Sequence, residues 1–144
     1  MNHILPPNRD RTVLLSRSDA RMLAEIALAA VQQGHGEQAL PILDALDHET
    51  PDHPIAAVGR ALMALHAGRA DDAVRILERE ALGKRHGRVP VQGLLLMALA
   101  AGGRYAEAAR QLDIILAGPD GASRRLAMTI GTAIRQRAGQ PVRP

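Results

Sequence analysis

The sequence predicts an all-α array of repeated helical hairpins, and three observations carry that prediction. The apolar residues are mostly Ala and Leu, with Ile, Val and Met; there is no Phe or Trp, and Tyr105 is the single aromatic. Ala and Leu head the helix-propensity ranking, and the residues that favour strands are scarce. A ten-residue pattern recurs three times, as Gly34 to Leu43, Gly68 to Leu77 and Gly103 to Leu112. Prolines and glycines fall between the periodic stretches, where helices begin and end.

Each copy of the pattern has Gly, then Ala five residues later (Ala39, Ala73, Ala108), then Leu four after that (Leu43, Leu77, Leu112). The glycines stand 34 and 35 residues apart, the period of the tetratricopeptide repeat (TPR). A glycine at the turn accepts a left-handed backbone at little cost. The acidic or amide residues after it suit the positive end of the next helix. The shared Ala is the expected close contact between the two helices of a unit, and the Leu lies one turn further along the same face.

The first helices of the three units are expected at about Asp19 to Gln33, Pro54 to Ala67 and Pro90 to Gly102. Ser18 is the expected N-cap of the first, and Pro54 and Pro90 stand where a missing N–H is tolerated. The second helices are expected at about Glu37–Leu46, Ala70–Leu82 and Tyr105–Leu116. Pro41 conflicts with its helix and should remove a hydrogen bond or bend it. A seventh helix, 122–137, follows the Gly118-Pro-Asp-Gly121 break. Its apolar positions Leu126, Met128, Ile130, Ala133 and Ile134 are expected to form one buried face and cap the stack. The expected organisation is a flexible segment 1–17, a repeat domain 18–138 with units at about 19–52, 53–88 and 89–120 plus the cap helix, and a flexible tail 139–144. The expected architecture is three hairpins and a capping helix in a right-handed superhelical array.

Composition narrows the function. Without cysteine there is no disulfide, thiolate nucleophile or Cys-ligated zinc. The N-terminus lacks the apolar stretch of a secretion signal. The longest apolar run, Leu94 to Ala101, is far short of the roughly 20 residues needed to span a bilayer. A soluble, cytoplasmic protein without membrane contact is expected. The net charge is +3 and all basic residues but Lys84 are Arg. The acidic residues are interspersed with them and Tyr105 is the single aromatic that could stack on a base, so nucleic acid is not the expected partner.

Candidate chemistry is sparse. Asp47, His48, Glu49, Asp52 and His53 form the single cluster of metal-ligand residue types. It reads as a polar loop between units in which Asp52 and His53 cap the next helix. Metal-dependent catalysis through His48 and His53 is the competing reading. Ser16, Ser18 and Ser123 stand at helix starts, where capping accounts for them. Lys84 to Arg88 reads as a basic connector, or as a contact for an acidic partner. No catalytic residue, metal site or cofactor is expected, and the chain is not expected to be an enzyme.

In a TPR array the first helices line the concave face. Registering the chain on the repeat assigns Ala24, Leu28 and Val31 of the first unit to that face. The second unit supplies Ile55, Val58, Leu62 and Leu65, and the third supplies Gly93, Met97 and Ala100. TPR grooves that grip a peptide's C-terminal carboxylate carry a Lys, Arg and Asn clamp at these positions. Here the positions are apolar, which suits the apolar face of an amphipathic helix.

Four stretches carry a resemblance to a known family. They are Leu23-Ala-Glu-Ile-Ala-Leu28, the Glu37-Gln-Ala39 turn, the Gly103 to Ala108 turn, and Pro119-Asp-Gly ahead of the last helix. Over about residues 20–137 the chain resembles the TPR-like co-chaperones of type III secretion needle subunits, the YscG/PscG-type family. The resemblance implies a groove that holds the amphipathic helix of a needle subunit and prevents its polymerisation by steric means. It also implies a second small helical co-chaperone on the N-terminal unit. A generic TPR scaffold or adaptor in another bacterial complex remains the alternative.

Overall fold

The computed structural model describes residues 15–84 and 88–139, with backbone alone for 88–90. Every described element is helical. α1 spans Arg17–Gln32, α2 Gly36–Glu49, α3 Ile55–His66 and α4 Ala70–Ile76; α5 spans Arg88–Ala101, α6 Tyr105–Ala117 and α7 Gly121–Arg137. Of the segments expected to be flexible, 1–17 and 139–144, residues 1–14 and 140–144 lie outside the described residues, as does most of the basic connector, 85–87; Ser16 and Arg17 instead open α1, and Gly139 follows the end of α7.

Local chemistry sets the boundaries. α1 begins two residues earlier than expected because Ser16, not Ser18, is its N-cap. The Ser16 hydroxyl accepts the Asp19 N–H at 3.1 Å and donates to the Asp19 carboxylate at 2.7 Å, a reciprocal arrangement that satisfies a free backbone donor and favours the dipole. α2 runs on to Glu49, so Asp47, His48 and Glu49 form its last turn instead of a loop. Thr50 ends it, with both its N–H and its hydroxyl donating to the Leu46 carbonyl. Pro41 lies inside α2 and is exposed, so the carbonyl its ring leaves unpaired is on the solvent side. α3 starts after Pro54, and the His53 Nδ1 accepts the Ile55 N–H at 3.2 Å. α4 departs from the expected single helix: past Ile76 it widens into a π turn over Leu77–Ala81, in which the Leu82 N–H reaches back to the Leu77 carbonyl.

The same device closes four helices. Gly34, Gly68, Gly103 and Gly139 all have φ between 70° and 84°. Each donates its N–H to the carbonyl three residues back, from Val31, Leu65, Ala100 and Gln136 respectively. At the first three the next N–H reaches back five residues, completing a Schellman cap. Gly139 makes α7 a first helix too.

The helices stack in two layers. α1 meets α3, α3 meets α5 and α5 meets α7, whereas among the described residues α2, α4 and α6 make no such contacts with one another. The first layer is therefore packed side by side and the second is splayed, so the array curves with the first helices inside. Ala39, Ala73 and Ala108, with Leu43, Leu77 and Leu112, are all 0% exposed, as the repeat pattern requires. The backbone approaches closely at two glycines: a Cβ on Gly59 would stand 2.6 Å from a Leu43 methyl, and one on Gly131 would stand 3.1 Å from Leu112.

α7 buries Ala127, Gly131 and Ile134, with Leu126 and Ile130 partly covered. Met128 and Ala133 were expected on that face, but Met128 is 70% exposed and Ala133 is also exposed. The contact runs at i, i+4, i+7 from Ala127, and Gly131 lets the α6 Leu112 into the space that a larger residue would fill.

Candidate functional site: the inner helix layer

Burial along the repeat shows which face each first helix offers. Seven residues before the turn glycine stand Ala27, Ala61 and Leu96, each 0% exposed against its own second helix. The corresponding residue of α7 is Thr132, which is exposed together with Met128 one turn earlier, so among the described residues this side of α7 carries one polar and one apolar exposed position. Twelve, eight and five residues before the glycine lies the face turned to the preceding unit. In α3 it is Ala56, Arg60 and Met63; in α5 Val91, Leu95 and Ala98; in α7 Ala127, Gly131 and Ile134; all are buried or partly buried. In α1 the same positions are Met22, Ile26 and Ala29, and they are exposed, Met22 at 54% and Ile26 at 48%. Among the described residues nothing covers this apolar flank.

The remaining face of each first helix looks away from the second layer. Of the residues assigned to the groove, Ala24, Leu28, Ile55, Val58, Leu62, Leu65 and Ala100 are partly buried, and Met97 is 50% exposed. Val58, Leu65 and Ala100 rest on the larger core cluster and Leu62 on the smaller one. None carries a charge. Val31 is a correction: at 1% exposure it is packed with Ala27, Ala39, Leu43 and Ala56. It is the last apolar residue before the Gly34 turn, and its carbonyl accepts from the Gly34 N–H and from His66 Nδ1 at 3.1 Å. Gly93 is also buried, against a Leu126 methyl.

An open cleft of about 730 Å³ lies at the edge of the layer away from the glycine turns. Ala24 and Ile55 line it together with residues that the repeat register did not single out, among them Leu15, Ala20 and Leu46. Its rim carries Arg17 and Arg21 opposite Glu49 and Asp52. The missed residues lie outside the repeated ten-residue pattern, so periodicity had no hold on them; the apolar Leu15 just ahead of the Ser16 cap was the available signal.

The polar cluster serves structure. Asp47 pairs with Arg60 at 3.3 Å and with Lys84 at 3.7 Å. Arg60 also meets Glu80 at 2.9 Å and Asp44 at 3.7 Å, so one guanidinium ties α2 and α3 to the π turn. Partial burial works against that charge, but Glu80 and Asp47 outweigh it and raise the Arg60 pKa. Among the described residues no group of three or more His, Cys, Asp or Glu is placed to hold a metal ion, and no helix is long and apolar enough to cross a membrane. In the third unit Arg104 grips Glu107 in a two-point pair at 2.8 and 2.6 Å. That bond raises the Arg104 pKa and holds Glu107 below the ordinary carboxylate range.

Comparison with known proteins agrees with this geometry. Residues 25–88, the body of the first two units, match the tetratricopeptide repeat family model. No curated protein and no solved structure matches the chain. Repeat period, recurrent glycine turns, two-layer stacking and family match converge on one description: the chain is an all-α, TPR-like array, a scaffold of the kind that binds other proteins.

Proposed function

We propose that the chain is a protein-binding chaperone that holds an amphipathic helix of a type III secretion needle subunit along its inner helix layer, in the cytoplasm, and so keeps that subunit from polymerising early. The observation that carries the reading is the uncharged aliphatic line from Leu28 through Val58, Leu62 and Leu65 to Met97, part-exposed on three adjacent helices. An amphipathic helix docks through apolar anchors at i, i+3, i+4 and i+7, and such a line accepts them. The action is steric: masking one helix of the subunit removes an assembly surface, and no catalytic group or cofactor is required. The resemblance in sequence supports the choice of partner. The bare flank of Met22, Ile26 and Ala29 is where a second small helical co-chaperone fits, in the place that a preceding unit's second helix would take.

Two substitutions test the groove. Leu62 is central, where interface energy concentrates and truncation costs about 2 kcal/mol or more. A carboxylate there, stripped of water by the partner, costs several kcal/mol, which removes most of the roughly 8 kcal/mol of a micromolar complex. Because Leu62 also rests on the core, Met97→Glu is the cleaner partner variant. Both are expected to keep a native circular dichroism spectrum and to lose capture of the needle subunit from bacterial cytoplasm. Folded variants that bind at full strength would refute the groove. Recovery of an unrelated complex by the native protein, lost in both variants, would leave the groove standing and assign the chain to the generic scaffold reading.

A further inference from the structure

The splayed second layer leaves a cleft between α2 and α4 whose chemistry differs from that of the inner face. It is an open depression of about 480 Å³. Its apolar lining is Leu40, Met63, Ala64 and Ile76, and its charged lining is Arg60, Arg69, Arg75 and Arg79 with Asp72 and Glu80. At about 100° per residue, Arg60, Met63 and Ala64 lie on the side of α3 opposite Val58, Leu62 and Leu65. The cleft is therefore separate from the inner groove, and nothing about it depends on the function proposed above.

The charges are unevenly spread: Asp44, Asp47 and Glu80 outnumber Arg60 on the α2–α3 side, whereas along α4 and the π turn Arg69, Arg75 and Arg79 outnumber Asp72. Arg60 is engaged by Asp44, Asp47 and Glu80. That leaves Arg69, Arg75 and Arg79 against Asp72, which pairs with both Arg69 and Arg75. Arg79 has no ion pair among the described residues and is exposed. It stands in the π turn Leu77–Ala81, beside the Glu80 that holds Arg60. A π turn weakens a helix, and such turns concentrate at functional sites. Guanidinium groups are weakly hydrated forks matched to carboxylates, and the aliphatic floor excludes water beneath them.

We infer that the α2–α4 cleft is a second docking site, for an acidic peptide segment that places an aliphatic side chain among Leu40, Met63 and Ile76 and its carboxylates on Arg69, Arg75 and Arg79. The partner is a protein tail or linker rich in Glu or Asp with interspersed Leu. The excess of positive charge along α4 and the π turn selects against a basic or neutral segment there, and the small hydrophobic floor selects against a purely ionic one.

Fluorescence anisotropy on the full chain tests this, with a fluorescein-labelled peptide of sequence Glu-Glu-Leu-Glu-Glu-Leu-Glu and its Gln-for-Glu counterpart. The acidic peptide is expected to bind at least tenfold more tightly than the neutral one, and to weaken as sodium chloride rises through the range where the Debye length falls below about 10 Å. Arg79→Glu, which breaks no ion pair, and the milder Arg69→Gln with Arg79→Gln are each expected to weaken binding severalfold while circular dichroism stays native. Met97→Glu is expected to leave it unchanged. The inference is overturned if both peptides bind alike, if the folded Arg79 variants bind as the native protein does, or if Met97→Glu alone abolishes binding, which would move the peptide to the inner groove. Tighter, Arg79-dependent binding of a short oligothymidylate would overturn it too, by showing that the arginines read a phosphate backbone.

Discussion

Gly59→Ala separates two opposing effects that the structure places on one residue. In the interior of α3, replacing Gly by Ala favours the helix by about 1 kcal/mol. Against that, the new methyl would sit 2.6 and 2.8 Å from the two methyls of Leu43, a separation that no real pair of carbons holds. Leu43 is 0% exposed and packed by Ala27, Val31, Ala39 and Ala56, so it has little room to retreat, and overpacking of this sort costs about 1–3 kcal/mol. The net expectation is a loss of about 0–2 kcal/mol. Leu43→Ala alone should cost about 2–5 kcal/mol through the cavity it leaves. In that background the obstruction is gone, so Gly59→Ala should reverse sign and stabilise by about 1 kcal/mol. Urea unfolding followed by far-UV circular dichroism on the four proteins of the cycle measures each difference and the coupling between the sites. If Gly59→Ala stabilises the native protein as much as it stabilises the Leu43→Ala protein, Leu43 does not fill the space over Gly59 and the packing described for α2 and α3 is wrong.

Other perturbations follow from the same packing and charge pattern. Ala39→Leu, Ala73→Leu and Ala108→Leu should each cost about 1–3 kcal/mol, and three unchanged melting temperatures would break the assignment of these residues to the contact between paired helices. Arg60→Met should destabilise the array by about 1 kcal/mol by leaving Asp44, Asp47 and Glu80 facing one another, and its effect should shrink at high salt. The Asp120 side chain caps α7 by accepting the Ser123 N–H at 2.6 Å, and hydrogen bonding to Ser123 holds its pKa below the ordinary value. A depressed carboxylate pKa adds stability above the unfolded-state value of about 4 and loses it as pH falls through the folded value. Asp120→Asn should therefore flatten the decline in melting temperature below about pH 4, and an unaltered acid profile would count against the cap.

The parts legible in the sequence were those that repeat. Gly34, Gly68 and Gly103 mark turns because their backbone is left-handed, and Ala39, Ala73 and Ala108 are small because two helices cross there. Tertiary choices were not legible. Ser16 and Ser18 are equivalent candidates until one finds the Asp19 N–H. The π turn at Leu77–Ala81 has no local signature, since Leu, Glu, Arg and Ala all suit an ordinary helix. Ala138-Gly139 repeats Ala67-Gly68 and could have identified α7 as a first helix. For the inner face, periodicity assigned Leu28, Leu62 and Met97 to one side of their helices, but Val31 obeys the same spacing and is buried, because spacing does not say how deep the next unit sits. The α2–α4 cleft was not legible because Arg60 comes from α3 and Arg69, Arg75 and Arg79 from α4 and its π turn, and spacing does not show that α2 stands away from α4.

The unlike flanks of the array have a consequence for self-assembly. A stack of repeats invites head-to-tail growth, in which the leading flank of one molecule seats on the trailing flank of the next and an open filament results. Met22 and Ile26 make the leading flank adhesive, whereas the trailing side of α7 sets Arg125, Thr132 and Gln136 around one exposed apolar residue, Met128, and those polar groups would lose water without gaining partners. Growth in that direction is disfavoured by the polar groups around Met128. The two flanks of the described array are therefore unequal in apolar surface, and a partner seated on α1 favours a finite complex over a filament.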